Sequence, residues 1–189
     1  MNEAKADDGE LARIEAAAAA PQRKAPPRDC GHFDIRIDRD GSWFYRGTPI
    51  NRASLVKLFS TVLERDAEGV YWLITPAERG RITVDDAPFL AVELERSGEG
   101  PAQELIFRTN LGDFVTADAE HPLRIATEPA TDTPRPYILV RNRLEARLSR
   151  PVFYTLVDWG VEERVKGVTR FGVWSKGIFF SLDTPAESG

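Results

Sequence analysis

The sequence predicts an α+β protein of two tandem, similar units, each a mainly antiparallel sheet packed with one helix. Short runs of alternating apolar and polar residues predict strands, and their connections are too short for crossovers, as in antiparallel hairpins. Two segments, residues 52–64 and the stretch from Ser149 to about Gly160, carry apolar residues at helical spacing instead. Each helix needs a sheet to cover its apolar stripe, and the flanking strands can supply one.

The best-defined element is the strand, turn and helix of residues 43–64. Trp43 and Tyr45 belong to an aromatic strand, and Gly47 with Pro49 ends it. Asn51 is a typical N-cap, because its side-chain oxygen can accept a free N–H group of the first helical turn. The apolar stripe of the helix consists of Leu55, Val56, Leu58, Phe59, Val62 and Leu63.

Alternation and turn residues predict the other strands. They lie at residues 33–37, 70–74, 82–84, 89–94, 104–109, 114–116, 123–126, 137–148, 171–174 and 178–182. The polar, strand-breaking turn at residues 97–101 is the best candidate for a boundary. We therefore expect a disordered or weakly helical tail at 1–28, an N-terminal α+β unit at 29–97 and a C-terminal α+β unit at 101–184.

A shift of 98 residues brings the two helical segments into register. The shift aligns Asn51-Arg52 with Ser149-Arg150, so that a polar capping residue is followed by arginine in both copies. A long strand precedes each helix, and a tryptophan-containing strand follows each. Because cap, arginine and strand order agree together, we interpret the pattern as an internal duplication.

Composition limits the function classes. The net charge is −5 at pH 7 and the pI is about 5.2, which disfavours nucleic acid or anionic membranes as partners. The one cysteine and two histidines cannot build a usual structural zinc site. No apolar run reaches the ~20 residues that cross a bilayer, and the N-terminus lacks the apolar core of a signal peptide. We expect a cytoplasmic protein without a metal or cofactor.

The sequence resembles a bacterial family known as domain of unknown function 1285. The resemblance covers the chain from about Cys30 to Leu182 and is carried by the phrases FDIRIDRDGSWFYRGTPINR, LVKLFSTVL, YWLITPAE, ITVDDAPFLAVE, EHPLRI, VFYTLVDWG and GVWSKGIFFSL. It implies two tandem α+β units arranged as a duplication, the second superficially similar to a pleckstrin-homology fold. It also implies a ligand site in the cleft between the units, for a nucleotide-like molecule, and a role in signalling. It implies no catalytic residues.

An arginine stripe is the main candidate for ligand binding. Arg141, Arg143 and Arg147 share one face if residues 137–148 form a single strand, and Arg150 follows at the start of the helix. Guanidinium groups suit phosphate or carboxylate, and free N–H groups at a helix N-terminus add to that attraction. Arg52 occupies the matching place in the first half. The alternative is a solvated strand face paired with Glu145 and with acidic residues across the sheet.

Aromatic side chains are the second candidate. Aromatic side chains supply much of the buried area in small sheets. We therefore expect most of the set Trp43, Tyr45, Trp72 and Trp174 to lie in the core. One or two of them can instead line a cleft and stack on a nucleotide base. We include Trp43, Tyr45 and Trp174 in the candidate ligand site.

No catalytic motif stands out. Cys30 and His32 are close in sequence, but thiol catalysis needs a stabilised thiolate that the fold brings to a base. The acidic turn that begins at Asp38 lacks the later acidic residue of a calcium loop, because Pro49 occupies that position. His121 has no obvious partner in sequence. Phosphate-binding glycine loops and the GxSxG motif are missing from the sequence.

We expect a non-catalytic protein that binds a small anionic or nucleotide-like ligand between its two units, with a role in signalling. The alternative is a protein–protein interaction module or scaffold. An enzyme is the third choice, and it would be favoured by a cleft that holds Glu78, Asp86 or His121 beside a strongly shifted pKa.

Overall fold

The structure is a computed structural model of the 189-residue chain. It describes residues 4–21, 26–128, 130–131 and 133–183, with side chains described from Gly9 onward. The chain divides into two units, Met1–Asp86 and Ala87–Gly189. The α+β class and the two tandem units, each with a mostly antiparallel sheet, are confirmed.

The described part of the first unit contains two helices and a six-stranded sheet. The helices are α1 (Ala4–Ala18) and α2 (Ala53–Thr61). The strands are β1 (Arg28–Ile37), β2 (Trp43–Tyr45), β3 (Thr48–Pro49), β4 (Leu63–Arg65), β5 (Tyr71–Ile74) and β6 (Glu78–Val84). Their order is β3-β2-β1-β6-β5-β4, and every neighbouring pair is antiparallel except β1 and β6, which are parallel.

The described part of the second unit contains one α-helix, α3 (Arg150–Asp158), and two sheets. The strands are β7 (Phe89–Ser97), β8 (Glu104–Thr109), β9 (Phe114–Thr116), β10 (Leu123–Glu128), β11 (Thr133–Arg141), β12 (Leu144–Leu148), β13 (Val161–Val165), β14 (Val168–Ser175) and β15 (Ile178–Ser181). The six-stranded sheet has the order β10-β11-β12-β7-β8-β9, with β12 and β7 parallel. The three-stranded sheet has the order β13-β14-β15.

Both units contain a three-stranded meander, a helix and a second three-stranded meander. In the first unit β1–β3 precede α2 and β4–β6 follow it; in the second, β10–β12 precede α3 and β13–β15 follow it. The second unit differs because an additional meander, β7–β9, joins its six-stranded sheet through the parallel pair of β7 and β12. The two cores are filled by alternating strand residues such as Phe33, Ile35 and Phe107, each about 1% exposed or less.

The boundary between the two units lies at Asp86 and Ala87, about ten residues before the turn at 97–101 that the sequence indicated. β6 and β7 do not form the antiparallel hairpin that the short connection between the predicted strands 82–84 and 89–94 indicated, because β7 pairs with β8 and β12 in the sheet of the second unit. The turn at 97–101 therefore lies within that unit, between β7 and β8. A local turn signal could not distinguish a hairpin from a change of sheet.

The N-cap of α3 is the predicted Ser149, but helix α2 is shorter than predicted and has a different N-cap. It ends at Thr61, because Leu63–Arg65 form β4 and pair with β5. Its N-cap is Arg52 rather than Asn51, and neither Arg52 nor Ser149 makes a side-chain capping hydrogen bond. The two helices are consequently related by 97 residues rather than 98, so that Arg52 corresponds to Ser149.

The predicted strand at 137–148 is two strands joined by a tight turn. Asn142 and Arg143 have positive φ values of 40° and 65°, which suit a two-residue hairpin turn. β13 was not predicted at all, because its sequence VEERV carries few apolar residues. Among the described residues, no helix is long and apolar enough to cross a membrane.

The N-terminal helix is packed on the first unit. We expected a disordered or weakly helical tail, because Leu11 and Ile14 are its only large apolar residues. Helix α1 instead contacts α2, with Ile14 fully buried and Ala17 9% exposed. Ion pairs to residues far along the chain, described below, add to this small apolar contact.

We predict that Ile14→Ala destabilises the protein, because it removes the fully buried side chain of α1. Such substitutions cost about 2–5 kcal/mol, and chemical denaturation followed by circular dichroism measures the loss. Ala16→Ser, at an exposed position of the same helix, is the control and should change the free energy of unfolding by less than about 1 kcal/mol. Equal effects of the two substitutions would show that α1 is not anchored by Ile14.

Candidate functional site

A cavity of the first unit lies where α1, α2 and the β2–β3 hairpin meet. Its volume is about 640 Å³, within the range of small-molecule sites. Its lining combines an apolar wall with a few polar groups. The lining residues are Leu11, Ala12, Glu15, Tyr45, Thr48, Pro49, Ile50, Asn51, Arg52 and Leu55. We call this cavity the helix pocket.

Local sequence explains how the polar groups reach the helix pocket. Arg46 and Gly47 have φ values of 48° and 78°, so β2 and β3 are joined by a two-residue turn that glycine favours. After this turn, the N–H of Ile50 donates to the carbonyl of Trp43 at 2.8 Å. This bond directs the chain into α2 and leaves Arg52 at the helix N-terminus, on the wall of the pocket.

Carboxylates of α1 bind Arg52 and Tyr45 of the pocket and the neighbouring Arg46. Arg52 donates to Glu15 in a close ion pair. The hydroxyl of Tyr45 donates to Oε2 of Glu10 at 2.5 Å, and Arg46 donates to the same oxygen at 3.3 Å. The guanidinium of Arg46 also lies 5.3 Å from the centre of the Tyr45 ring. An anion is therefore already bound by these groups, and it belongs to the protein itself.

Two of the predicted residues, Arg52 and Tyr45, line the helix pocket together. Trp43 does not, because it is 2% exposed and packs against Phe59 with ring centres 6.3 Å apart. Its indole Nε1 is buried without a hydrogen-bond partner among the described residues. The core interpretation of Trp43 therefore holds.

The arginine stripe of the second unit is not a stripe. Arg143 lies in the exposed turn between β11 and β12. A bulge after Leu139 places Arg141 opposite Leu144, and its guanidinium lies 5.0 Å from the ring centre of Phe89. Arg147 pairs instead with Tyr137 and with β7. The turn and the bulge break the alternation that would have placed Arg141, Arg143 and Arg147 on one face.

Arg150 and Trp174 do not line the helix pocket. Arg150 is exposed at the first turn of α3 and has no ion pair among the described residues. Trp174 packs edge-on against Phe179, at 5.4 Å between ring centres, and its carbonyl accepts a 2.8 Å hydrogen bond from Gln103. Trp174 thus joins β14 to the segment before β8.

A second cavity, of about 380 Å³, lies within the second unit. His121 and Asp118 line it and are joined by a 3.0 Å contact between Nδ1 and Oδ1. Burial opposes ionisation of Asp118, but the backbone N–H and ring of His121 and the N–H of Glu120 outweigh it, so the pKa of Asp118 is lowered. The same cavity contains Lys176 and Arg141, which face Glu104 and Asp113 at 3.5 Å and 3.9 Å.

A thiol–carboxylate pair lies on β1 and β6. The Sγ of Cys30 donates to Oε2 of Glu78 at 3.3 Å, and Oε1 of Glu78 forms an ion pair with Arg13 of α1 at 3.3 Å. Burial raises the pKa of Cys30, and the hydrogen bond to Glu78 and its charge raise it further. A thiol held in the protonated form is a poor nucleophile. His32 instead lies near Asp34 and Thr83.

Sequence reasoning missed the contribution of α1. Glu10, Arg13 and Glu15 supply the ionic partners of the helix pocket and of Glu78. The sequence did contain a signal that α1 could pack on the protein. The spacing of Glu10, Leu11 and Ile14 places charged and apolar side chains on neighbouring turns of a helix. Their partners are remote in sequence, so spacing alone could not identify them. Within the described ranges, no cluster of three or more His, Cys, Asp or Glu could hold a metal ion.

The fold and its cavities define a two-domain α+β protein with room for a small ligand in a single unit. The chain belongs to the DUF1285 family, whose N-terminal and C-terminal domain models, both described as of unknown function, match residues 20–87 and 88–182. The meeting point of the two models agrees with the boundary between the units. Helix α1 precedes the residues matched by the N-terminal model.

Two solved structures are similar to this chain. A DUF1285 family protein from Silicibacter pomeroyi DSS-3 is 46% identical, with 91% of this chain and 95% of that chain covered and a TM-score of 0.80. A DUF1285 family protein from Shewanella baltica OS155 is 28% identical, with 67% and 91% covered and a TM-score of 0.53. No protein with curated annotation matches the chain.

We predict that Glu78→Gln lowers the pKa of Cys30, because it removes the carboxylate that accepts a hydrogen bond from the protonated thiol and repels the thiolate. The rate of iodoacetamide alkylation, measured against pH, should therefore rise at a lower pH than in the wild type. Asp29→Asn is the control. It also removes a carboxylate near Cys30, but one that accepts hydrogen bonds from Arg79 and Gly31 and not from the thiol. Identical pH–rate profiles for wild type and Glu78→Gln would contradict this account of the thiol.

Proposed function

We propose that this protein is a non-catalytic binding protein for a small anionic or nucleotide-like ligand, which binds in the helix pocket. The observation that carries the proposal is the position of Arg52, whose guanidinium lies on the wall of a ligand-sized cavity and already holds a carboxylate. A guanidinium that binds a carboxylate offers the same paired donors to phosphate.

The rest of the pocket lining suits the uncharged part of such a ligand, for example the base of a nucleotide. Pro49, Ile50, Leu55 and Leu11 supply apolar surface, and Tyr45 supplies an aromatic ring and a hydroxyl. Small-molecule sites commonly combine a mostly apolar lining with a few placed polar groups. A nucleotide has this division too, with a planar base and an anionic phosphate.

The carboxylate of Glu15 supports a role in signalling. A ligand phosphate would have to displace Glu15 from Arg52, and would thereby weaken one of the ionic contacts of α1. Because Ile14 is the main apolar anchor of this helix, ligand binding would shift α1 between attached and released states. Ligand occupancy would in this way be converted into a change that a cytoplasmic partner can detect.

A second candidate function is a protein–protein interaction module. Phe114 and Tyr154 are large aromatic side chains that are 66% and 62% exposed, and single exposed aromatics are frequent anchors of interfaces. A stoichiometric partner lost with Tyr154→Ala, but retained with Arg52→Ala, would favour this function over ligand binding.

We predict that a ligand found by thermal-shift screening of nucleotides and inorganic phosphate loses affinity in Arg52→Ala. Loss of a charged hydrogen-bonded contact costs about 1.5–3 kcal/mol. Because Glu15 competes with the ligand for Arg52, we expect the weakening of Kd to lie at the lower end of this range, about tenfold. Arg150→Ala is the matched control, because Arg150 starts the corresponding helix, α3, and does not line the helix pocket. Absence of stabilisation by every probe at millimolar concentration would overturn the proposal.

We also predict that Glu15→Gln tightens the binding of the same probe several-fold, since it removes the competing negative charge from Arg52. Titration calorimetry of wild type and Glu15→Gln measures the change. Glu64→Gln, on the exposed side of β4, gives the same change in net charge without touching Arg52. Equal tightening by both substitutions would indicate a general effect of charge and not competition at the pocket.

A further inference from the structure

Strand β13 is an uncovered sheet edge. Among the described residues its one strand neighbour is β14, and the register runs without a bulge from Val161 opposite Gly172 to Val165 opposite Val168. Natural edges are protected by short length, by charged side chains, by proline, by bulges or by a covering segment. β13 contains no proline, and Val161 and Val168 are 46% and 53% exposed.

The hydrogen-bonding groups that face outward can be identified from the turn. Lys166 and Gly167 have φ values of 50° and 84°, as in a two-residue hairpin whose flanking residues, Val165 and Val168, bond to each other. Since bonded and non-bonded pairs alternate in an antiparallel ladder, the main-chain groups of Glu162 and Arg164 point away from β14. Accordingly, the N–H of Arg164 donates to Oε1 of Glu163 at 3.1 Å.

The sequence of β13, VEERV, is complementary to itself when two copies run antiparallel. About an axis at Glu163, Glu162 of one copy faces Arg164 of the other, and Val161 faces Val165. Glu162 and Arg164 are also the residues whose main-chain groups point outward. The register that pairs their opposite charges is therefore the one in which their main-chain groups can bond across the two copies. We propose that β13 pairs with β13 of a second copy of this chain, making one continuous antiparallel sheet.

Charge selects this register over its neighbours. Moving the axis by one residue places Glu162 opposite Glu162, or Arg164 opposite Arg164, and like charges in directly opposed positions are unfavourable. The two Glu163 residues do meet at the axis. Each, however, has Arg170 of its own chain opposite it in the ladder with β14, which offsets the repulsion. The short edge predicts a reversible dimer at the small end of specific interfaces.

Sedimentation velocity of the full chain over increasing concentration tests the proposal. We expect a reversible shift from the 21.1 kDa monomer towards twice that mass. Arg164→Glu should weaken the dimer by about tenfold or more, because two attractive pairs become repulsive. The double charge swap Glu162→Arg with Arg164→Glu restores opposite charges at both pairs and should restore the dimer.

Lys166→Glu makes the same charge change in the turn of the same hairpin, outside the proposed pairing, and should leave the dimer intact. A wild type that stays monomeric up to millimolar concentration would overturn the proposal. A dimer that survives Arg164→Glu, or that the charge swap fails to restore, would overturn it too.

Cross-linking tests the register. In a Cys30→Ser background, Glu163→Cys places two thiols at a non-hydrogen-bonded pair on the axis, where Cα atoms are about 4.5 Å apart and a disulfide can form. Mild oxidation should therefore give a covalent dimer. Val168→Cys, exposed on β14, should cross-link at least tenfold more slowly; equal rates for the two variants would reject pairing through β13.

Discussion

The parallel pair of β1 and β6 is the interaction on which the first unit depends. It joins the two meanders of that unit, one before and one after α2, into a single sheet. The pair also brings Cys30 of β1 to Glu78 of β6, and through Glu78 it provides the ionic partner for Arg13 of α1. Gly80 lets the strands meet there, because a Cβ at this position would lie 2.6 Å from the Phe33 ring. The core of the first unit, the Cys30–Glu78 pair and the ionic contact of α1 with Glu78 therefore all depend on the parallel pairing of β1 with β6.

Elements that depend on local pattern could be predicted from the sequence. Alternation located β1, β8 and β9, and helical spacing located α2 and α3, because side-chain direction follows directly from the backbone period. The parallel pairs β1–β6 and β7–β12 could not be predicted in the same way. Each joins strands that are far apart in the chain, and no local period records which strands meet across a sheet.

The candidate site shows the same division. Arg52 and Tyr45, which both line the helix pocket, could be selected from the sequence because a helix start and an aromatic strand are local signals. The arginine stripe failed because it assumed that residues 137–148 form one straight strand, whereas Asn142 and Arg143 form a turn. Helix α1 was undervalued for the opposite reason. Its packing relies on one buried isoleucine and on carboxylates whose partners are Tyr45, Arg46 and Arg52. These partners are remote in sequence, so the composition of α1 itself says little about how it is held.

Charge pairing in the pocket limits what any ligand can gain. Because Arg52 already holds Glu15, a bound phosphate gains only the difference between two anions, not the full strength of an arginine–phosphate contact. The competing carboxylate belongs to the same chain, so its effective concentration is high while α1 is docked. Under the proposed function, the affinity for an anionic ligand would therefore depend on how firmly α1 is held by Ile14 and by the pair of Arg13 with Glu78. A substitution that loosens this helix, although it touches no ligand, should raise the affinity of the pocket for anions.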